Sequence, residues 1–394
     1  MKKKVECLIE IFDQEHTKEN IGACMLYQPD VFYTFCPFGT DERKINGLKN
    51  FLHKYCPETE LKAINVEVSG TDAVKEEVIL HMNQICEKHN EILVEICGGD
   101  PLLNIAVFYS CVLRGLPTIS IDFEDGIVSN WDSAMEYAGK FEPISLSLDM
   151  IVQLNGGCIE KNMHRVPREM DYQLILECAE FILKNPKDYM RFSQYLQNCM
   201  RQNELHDALA VKTSNAQVIQ NNITVKANED WFQRMKEFGL IKEVVIEEDE
   251  ISFVYSSAFA KESLLVTGSW LEMYVYISAC LSYEYDEVME SVILDWNGIL
   301  GEDFDVKNEI DLLLRKGNIP IFISCKMRKI NAVDLNEIKQ YAQRFGGSEA
   351  KAVIITTNEI NQRENTIKNR AKEMGVILVD RNDLKLSVTE GFCE

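Results

Sequence analysis

Five residues in the last third of the chain have types and spacings that suit phosphodiester chemistry. Glu272 lies in an apolar run with Trp270, Leu271, Met273, Tyr274 and Val275. A buried carboxylate without a partner is costly, so this one is expected to be ion-paired, hydrogen-bonded or metal-bound. The segment Lys307-Asn308-Glu309-Ile310-Asp311 reads as a strand whose alternation puts Glu309 and Asp311 on one face. In Ile321-Phe322-Ile323-Ser324-Cys325-Lys326 the same alternation pairs Ser324 with Lys326. Carboxylates hold Mg²⁺ or Mn²⁺ through oxygen, and such an ion activates water and neutralises charge developing on a phosphate. A lysine beside it orients the attacking water or stabilises the pentacovalent phosphate. A purely structural Glu272–Lys326 ion pair accounts for two of the same residues without catalysis.

Two loops near the amino terminus form a second group. Asp13-Gln14-Glu15-His16-Thr17 follows a strand-like run, with a helix expected to begin near Thr17. Cys97-Gly98-Gly99-Asp100-Pro101 follows another and leads into an apolar helix. Paired glycines at a strand end let backbone N–H groups approach a phosphate at a helix N-terminus, although an ordinary strand-to-helix turn explains them equally well. The GxGxxG spacing of dinucleotide sites is absent.

The elements that must position these residues fall into three patterns. Residues 1–165 alternate apolar β-branched runs (from Val5, Asp30, Ile64, Ile92 and Pro117) with helical segments, which implies βαβ units and a mostly parallel, Rossmann-like sheet. Residues 166–257 read as two helices, a polar patch (VKTSNAQVIQNN), a helix ending at Gly239 and a hairpin turning at Glu247–Glu250. This resembles a winged helix, but so acidic a hairpin suits a spacer or dimerisation element better than a DNA reader. Residues 258–394 read as one long helix, three strands, a helix and a strand, an αβββαβ order, followed by one more helix and strand.

Composition narrows the classes. The 394 residues carry 41 Lys+Arg against 63 Asp+Glu, a net charge of −22, which disfavours a passive nucleic-acid coat but not a metal-assisted nuclease. Thirteen cysteines with no Cys-x-x-Cys pair argue against a disulfide framework or structural zinc and suit a reducing cytoplasm. The stretch Leu264–Tyr283 approaches transmembrane length, but Glu272 near its middle favours a buried helix, so no membrane association is expected. All six histidines precede the last third, which excludes a histidine-dependent nuclease there.

Glu272, then Asn308-Glu309-Ile310-Asp311, then Ile323-Ser324-Cys325-Lys326 resembles the PD-(D/E)xK nuclease core, and the whole chain is similar to the fused CARF–nuclease effectors of type III CRISPR systems. The resemblance implies a CARF ligand-sensing domain (1–165), a winged-helix-like connector (166–257) and a restriction-endonuclease-like domain (258–394). It makes Glu272, Asp311 and Lys326 the catalytic set, with Glu309 and Ser324 beside them and Glu272, Asp311 and Glu309 as ligands of Mn²⁺ or Mg²⁺. It further implies a cytoplasmic homodimer in antiviral defence that binds cyclic tetra-adenylate as allosteric activator and cuts DNA or RNA. The ligand loops would contribute Asp13, Gln14, His16 and Thr17 from one side and Gly98, Gly99, Asp100 and Asn104 from the other. One departure stands out: the acidic position two before the lysine is Ser324, and Glu309 is a candidate to supply the missing carboxylate. Three alternatives remain: a non-catalytic CARF sensor, a ring nuclease, and a metal-independent ribonuclease using Arg201 and His206 (Arg-x4-His).

Overall fold

The computed structural model describes residues 4–131, 137–163, 166–167, 171–205, 208–219, 223–296, 307–360 and 365–384. The first unit runs β1 (Cys7–Ile11), α1 (Gly22–Tyr27), β2 (Val31–Pro37), α2 (Glu42–Tyr55), β3 (Glu60–Val66), α3 (Thr71–Cys86), β4 (Ile92–Glu95), α4 (Pro101–Arg114), β5 (Thr118–Asp122), β6 (Ile127–Asn130) and β7 (Gly139–Lys140). Its seven-stranded sheet has the order β3-β2-β1-β4-β5-β6-β7. The first five strands are parallel neighbours, and β6 and β7 add antiparallel edges. Strand order reverses between β1 and β4, so the loops leaving these two strands flank the crevice where doubly wound sheets bind ligands. One face is covered by α1 and α2 and the other by α3 and α4.

Next come α5 (Leu148–Leu154) and β8 (Cys158–Asn162), then α6 (Tyr172–Lys184), α7 (Pro186–Arg201), β9 (Ala210–Ser214), β10 (Gln217–Ile219), β11 (Ile223–Val225), α8 (Glu229–Glu237), β12 (Ile241–Ile246) and β13 (Glu250–Tyr255). The expected polar patch is therefore two strands. Val211 and Thr213 point inward from β9, which completes a β12-β13-β9 antiparallel sheet, and β10 begins a hairpin with β11. An aromatic cluster of Phe181, Phe192, Trp231, Phe232 and Phe253 joins this sheet to its helices.

The last third runs α9 (Ala258–Leu265), α10 (Ser269–Ser282), β14 (Glu287–Asp295), β15 (Lys307–Lys316), β16 (Ile319–Lys326), α11 (Ala332–Gly346), β17 (Lys351–Thr356), α12 (Asn365–Glu373) and β18 (Val376–Val379). The single long helix expected from the sequence is two helices bent by 114°. Ser269 turns its hydroxyl back to the carbonyls of Ser263 and Val266, which closes the corner. Among the described residues no single helix is long and apolar enough to cross a membrane. The six-stranded sheet has the order β18-β17-β16-β15-β14-β8, so its edge strand comes from residues 158–162, a strand the sequence reading did not pick out. Helix α10 and the middle segment share one core with this sheet, and α11 and α12 cover its other face. Helix α5 joins two cores: Leu148 and Val152 enter that of the last third, while Ile151 and Leu154 enter that of the first unit.

Candidate functional site

Strands β15 and β16 pair from Lys316↔Ile319 to Leu312↔Ile323, where their ladder ends. Asp311 sits where the strands part. The Cys325 N–H donates to Asp311 Oδ2 at 2.6 Å, and Ser324 Oγ donates to the same oxygen at 3.2 Å. A side chain thus satisfies a backbone donor left over where the ladder ends. Glu309, Asp311, Ser324 and Lys326 line one small cleft of about 30 Å³, together with Glu337 and Tyr341 of α11. Burial lifts the Asp311 carboxyl above the ordinary aspartate range and Glu309 adds to this, against the Cys325 N–H, Lys326 and Ser324, which favour the charged form.

Glu272 is placed differently from the sequence expectation. Because of the bend before α10 it lies in the first turn of that helix, not in the middle of a longer one, and it is only half-buried. It stands outside the cleft, near Cys325, whose thiol is pushed up by burial and by the Asp311 and Glu272 carboxylates. Strand alternation is the reason, since Cys325 faces the α10 core while Ser324 and Lys326 face the cleft. Among the described residues no three His, Cys, Asp or Glu side chains come together in metal-ligand geometry. Glu272, Glu309 and Asp311, expected to share one ion, are therefore not assembled around a common point. What the cleft offers is a hard, all-oxygen donor set. That fits Mg²⁺ or Mn²⁺ held by one or two carboxylates, Asp311 and Glu309 among them, plus water and substrate phosphate.

At the amino-terminal crevice, Asp13 acts as a bracket. Its Oδ1 accepts the N–H groups of Glu15 and His16, each at 2.8 Å, and its Oδ2 accepts the Gly99 N–H at 2.9 Å. Burial alone would raise its pKa, but these three donors outweigh it and hold the carboxyl below the usual aspartate range. Asn20 closes the same loop by exchanging hydrogen bonds with the Asp13 backbone, so a 3₁₀ turn (Glu19–Ile21) and α1 start later than the helix expected near Thr17.

The glycine pair is required by packing. A Cβ on Gly98 would lie 2.6 Å from Asp13 Oδ2, and one on Gly99 (φ +80°) 2.5 Å from Ile11 Cγ2. Asp100 caps α4 by accepting the Leu102 and Leu103 N–H groups, and Asn104 Nδ2 donates to the Gly98 carbonyl at 2.6 Å. Thr17 is buried, whereas Gln14 and His16 are exposed at the lip. Arg201 ends α7, and His206 lies outside the described residues.

The sequence reading missed several groups. Lys44 Nζ donates to the Gln14 carbonyl, which places a cation beside the crevice. Glu10 and Glu95, on neighbouring strands, are buried beneath the switch point. Burial and mutual repulsion hold Glu10 well above the glutamate range, and burial raises Glu95 to about 7. Acidic residues at inward positions of otherwise apolar strands were the available signal. Glu337, on the helix that follows the lysine-bearing strand, accepts a hydrogen bond from the Tyr341 hydroxyl at 2.9 Å.

No family model and no curated protein matches the chain. Among solved structures, it is similar to protein VC1899 from Vibrio cholerae, with a TM-score of 0.70 and 14% identity over 97% of this chain and 96% of the other. It is also similar to Can2 from Sulfobacillus thermosulfidooxidans in complex with cyclic tetra-adenylate, with a TM-score of 0.63 and 15% identity over 98% of this chain and 97% of the other. The resemblance read from the sequence thus holds for the fold, which is shared from end to end with a cyclic-tetra-adenylate-bound protein.

Proposed function

We propose that this chain is a cyclic-oligoadenylate-gated, metal-dependent nuclease of type III CRISPR defence. The observation that carries the reading is the cleft in which Asp311, fixed by the Cys325 N–H and Ser324, shares a wall with Glu309 and Lys326. A divalent cation bound there would supply Lewis-acid charge and an activated water. Asp311, held by the Cys325 N–H and Ser324, would be one of the carboxylates that hold such an ion. Lys326 orients the water and stabilises charge on the phosphate. The Can2 structure holds cyclic tetra-adenylate. In this chain the corresponding ligand would lie across the β1 and β4 loops, contacted by Gln14 and His16 at the lip, with Lys44 nearby.

A ring-shaped ligand with two-fold symmetry suits two copies of the crevice facing each other. Helix α4 begins at the Gly98-Gly99-Asp100 loop and exposes an apolar stripe of Ile105, Tyr109, Val112 and Leu113. A second copy of the chain packed on this face would bring two crevices to one axis.

The test is a cleavage assay on supercoiled plasmid, single-stranded DNA and RNA, with Mn²⁺ or Mg²⁺, with and without cyclic tetra-adenylate. Ligand-dependent cutting that EDTA and Lys326→Ala both abolish is the expected result. Ligand binding with no cutting of any substrate would leave the non-catalytic sensor, the reading that the neutral Ser324 favours.

A further inference from the structure

The acidic role that Ser324 cannot fill has a candidate other than Glu309. The Ser324 hydroxyl donates to Asp311 Oδ2 and brings no charge of its own. Helix α11 contributes two acids near the cleft. Asp334 is unsuitable, because its carboxylate is committed to Arg328 at 2.7 and 2.9 Å and to the Asn331 N–H at 2.8 Å. Glu337 lines the cleft together with Asp311, Ser324 and Lys326. One turn further on, Tyr341 fixes Glu337 Oε1 at 2.9 Å. The Tyr341 ring is itself held edge-on by Trp296, whose indole N–H donates to Asn308 Oδ1 at 2.5 Å.

We propose that Glu337, oriented by Tyr341, is the second acidic group of this cleft and helps hold the divalent cation in the place of a carboxylate at position 324. The inference rests on the metal-nuclease reading above. A glutamate at the start of a helix turn can face the same cavity as a strand residue, so the donor set is preserved although the supporting element changes. A hard cation held partly by water and substrate phosphate needs only one or two protein carboxylates, so Asp311 with Glu337 suffices chemically.

The test is titration calorimetry of Mn²⁺ into the full chain, comparing the wild type, Glu337→Gln, Asp311→Asn and the double variant Glu337→Gln/Ser324→Glu, with melting curves to verify folding. Glu337→Gln is expected to weaken Mn²⁺ binding by ~10-fold or more. Ser324→Glu is expected to restore binding in the Glu337→Gln background, because it returns a carboxylate to the strand. Wild-type affinity in Glu337→Gln, with binding lost in Asp311→Asn, would overturn the proposal and leave the metal reading standing. A wild-type protein that takes up no Mn²⁺ would remove the metal reading and this proposal together.

Discussion

Asp311 holds a charge where the fold disfavours one. Its carboxyl is raised by burial and by Glu309. A raised acid contributes stability that is complete below its unfolded pKa and is lost as pH rises through its folded value. Asp311→Asn should therefore abolish cleavage yet raise the melting temperature at neutral pH by a few degrees, which parallel activity and melting assays would check. Asp13 has the opposite sign. Its folded pKa is depressed, so its contribution is present above the unfolded value and is lost as pH falls through the folded one. Asp13→Ala removes the acceptor for three backbone donors and is expected to cost about 1–3 kcal/mol in denaturant unfolding, and to lose ligand binding with it.

Glu10 and Glu95 place a pH dependence in the first unit that is independent of the cleft. Both are raised, Glu95 to about 7, so stability should fall as pH rises from the ordinary glutamate range to about 7. In Glu95→Gln that fall should be shallower, read as melting temperature against pH, since glutamine keeps an acceptor for the Cys97 N–H without the charge.

At the scale of elements, the strands and helices that carry the sites follow from periodicity, and the departures occur where tertiary contacts override it. The αβββαβ order was legible because its strands are apolar runs and α11 has a clear amphipathic repeat. The bend between α9 and α10 was not, because both helices are apolar and a sequence pattern does not register a corner closed by Ser269. That corner moves Glu272 to a helix start near Cys325, outside the lining of the cleft. Strand β9 was hidden for a different reason: its exposed residues are polar, and only pairing with β13 makes it a strand. The glycine pair after β4 is an element-scale constraint. Gly99→Ala, at φ +80° and against Ile11, is expected to destabilise by about 1–3 kcal/mol and to move the loop that Asp13 brackets, both measurable by denaturant unfolding and ligand titration.

Across the whole molecule, the loop that follows β1 touches the segment that follows α11 within one chain. Ser348 Oγ donates to the Glu15 carbonyl at 3.0 Å, and Lys18 Nζ pairs with Glu349 at 2.6 Å. Both partners directly follow α11, the helix that carries Glu337 and Tyr341 into the cleft. Arg344 ties the same helix to the carbonyls of Asn155 and Gly156 beyond α5. A ligand that repositions the Asp13–Thr17 loop therefore has a packed, hydrogen-bonded connection to the cleft, as gating by differential contacts requires. Lys18→Ala should leave cyclic tetra-adenylate affinity near wild type while reducing ligand-stimulated cleavage several-fold. Unchanged stimulation would show that this ion pair carries none of the coupling. On the outer face, Ile105→Asp/Val112→Asp should convert a dimer to a monomer in light scattering if α4 is the isologous interface.

The sequence by itself determined the βαβ alternation, the order of elements in the last third, the strand pair bearing Asp311 and Lys326, and the anomaly at Ser324. These are local properties, encoded in the two-residue and 3.6-residue periods of single segments. Only the tertiary structure decided that Asp13, Gly98 and Gly99 brace one another, that Glu272 begins α10 outside the lining of the cleft, and that Glu337 lines it. It also decided that β8 completes a sheet whose other strands lie more than a hundred residues later. Each of these depends on which distant segments meet, and single-segment periodicity carries no information about that.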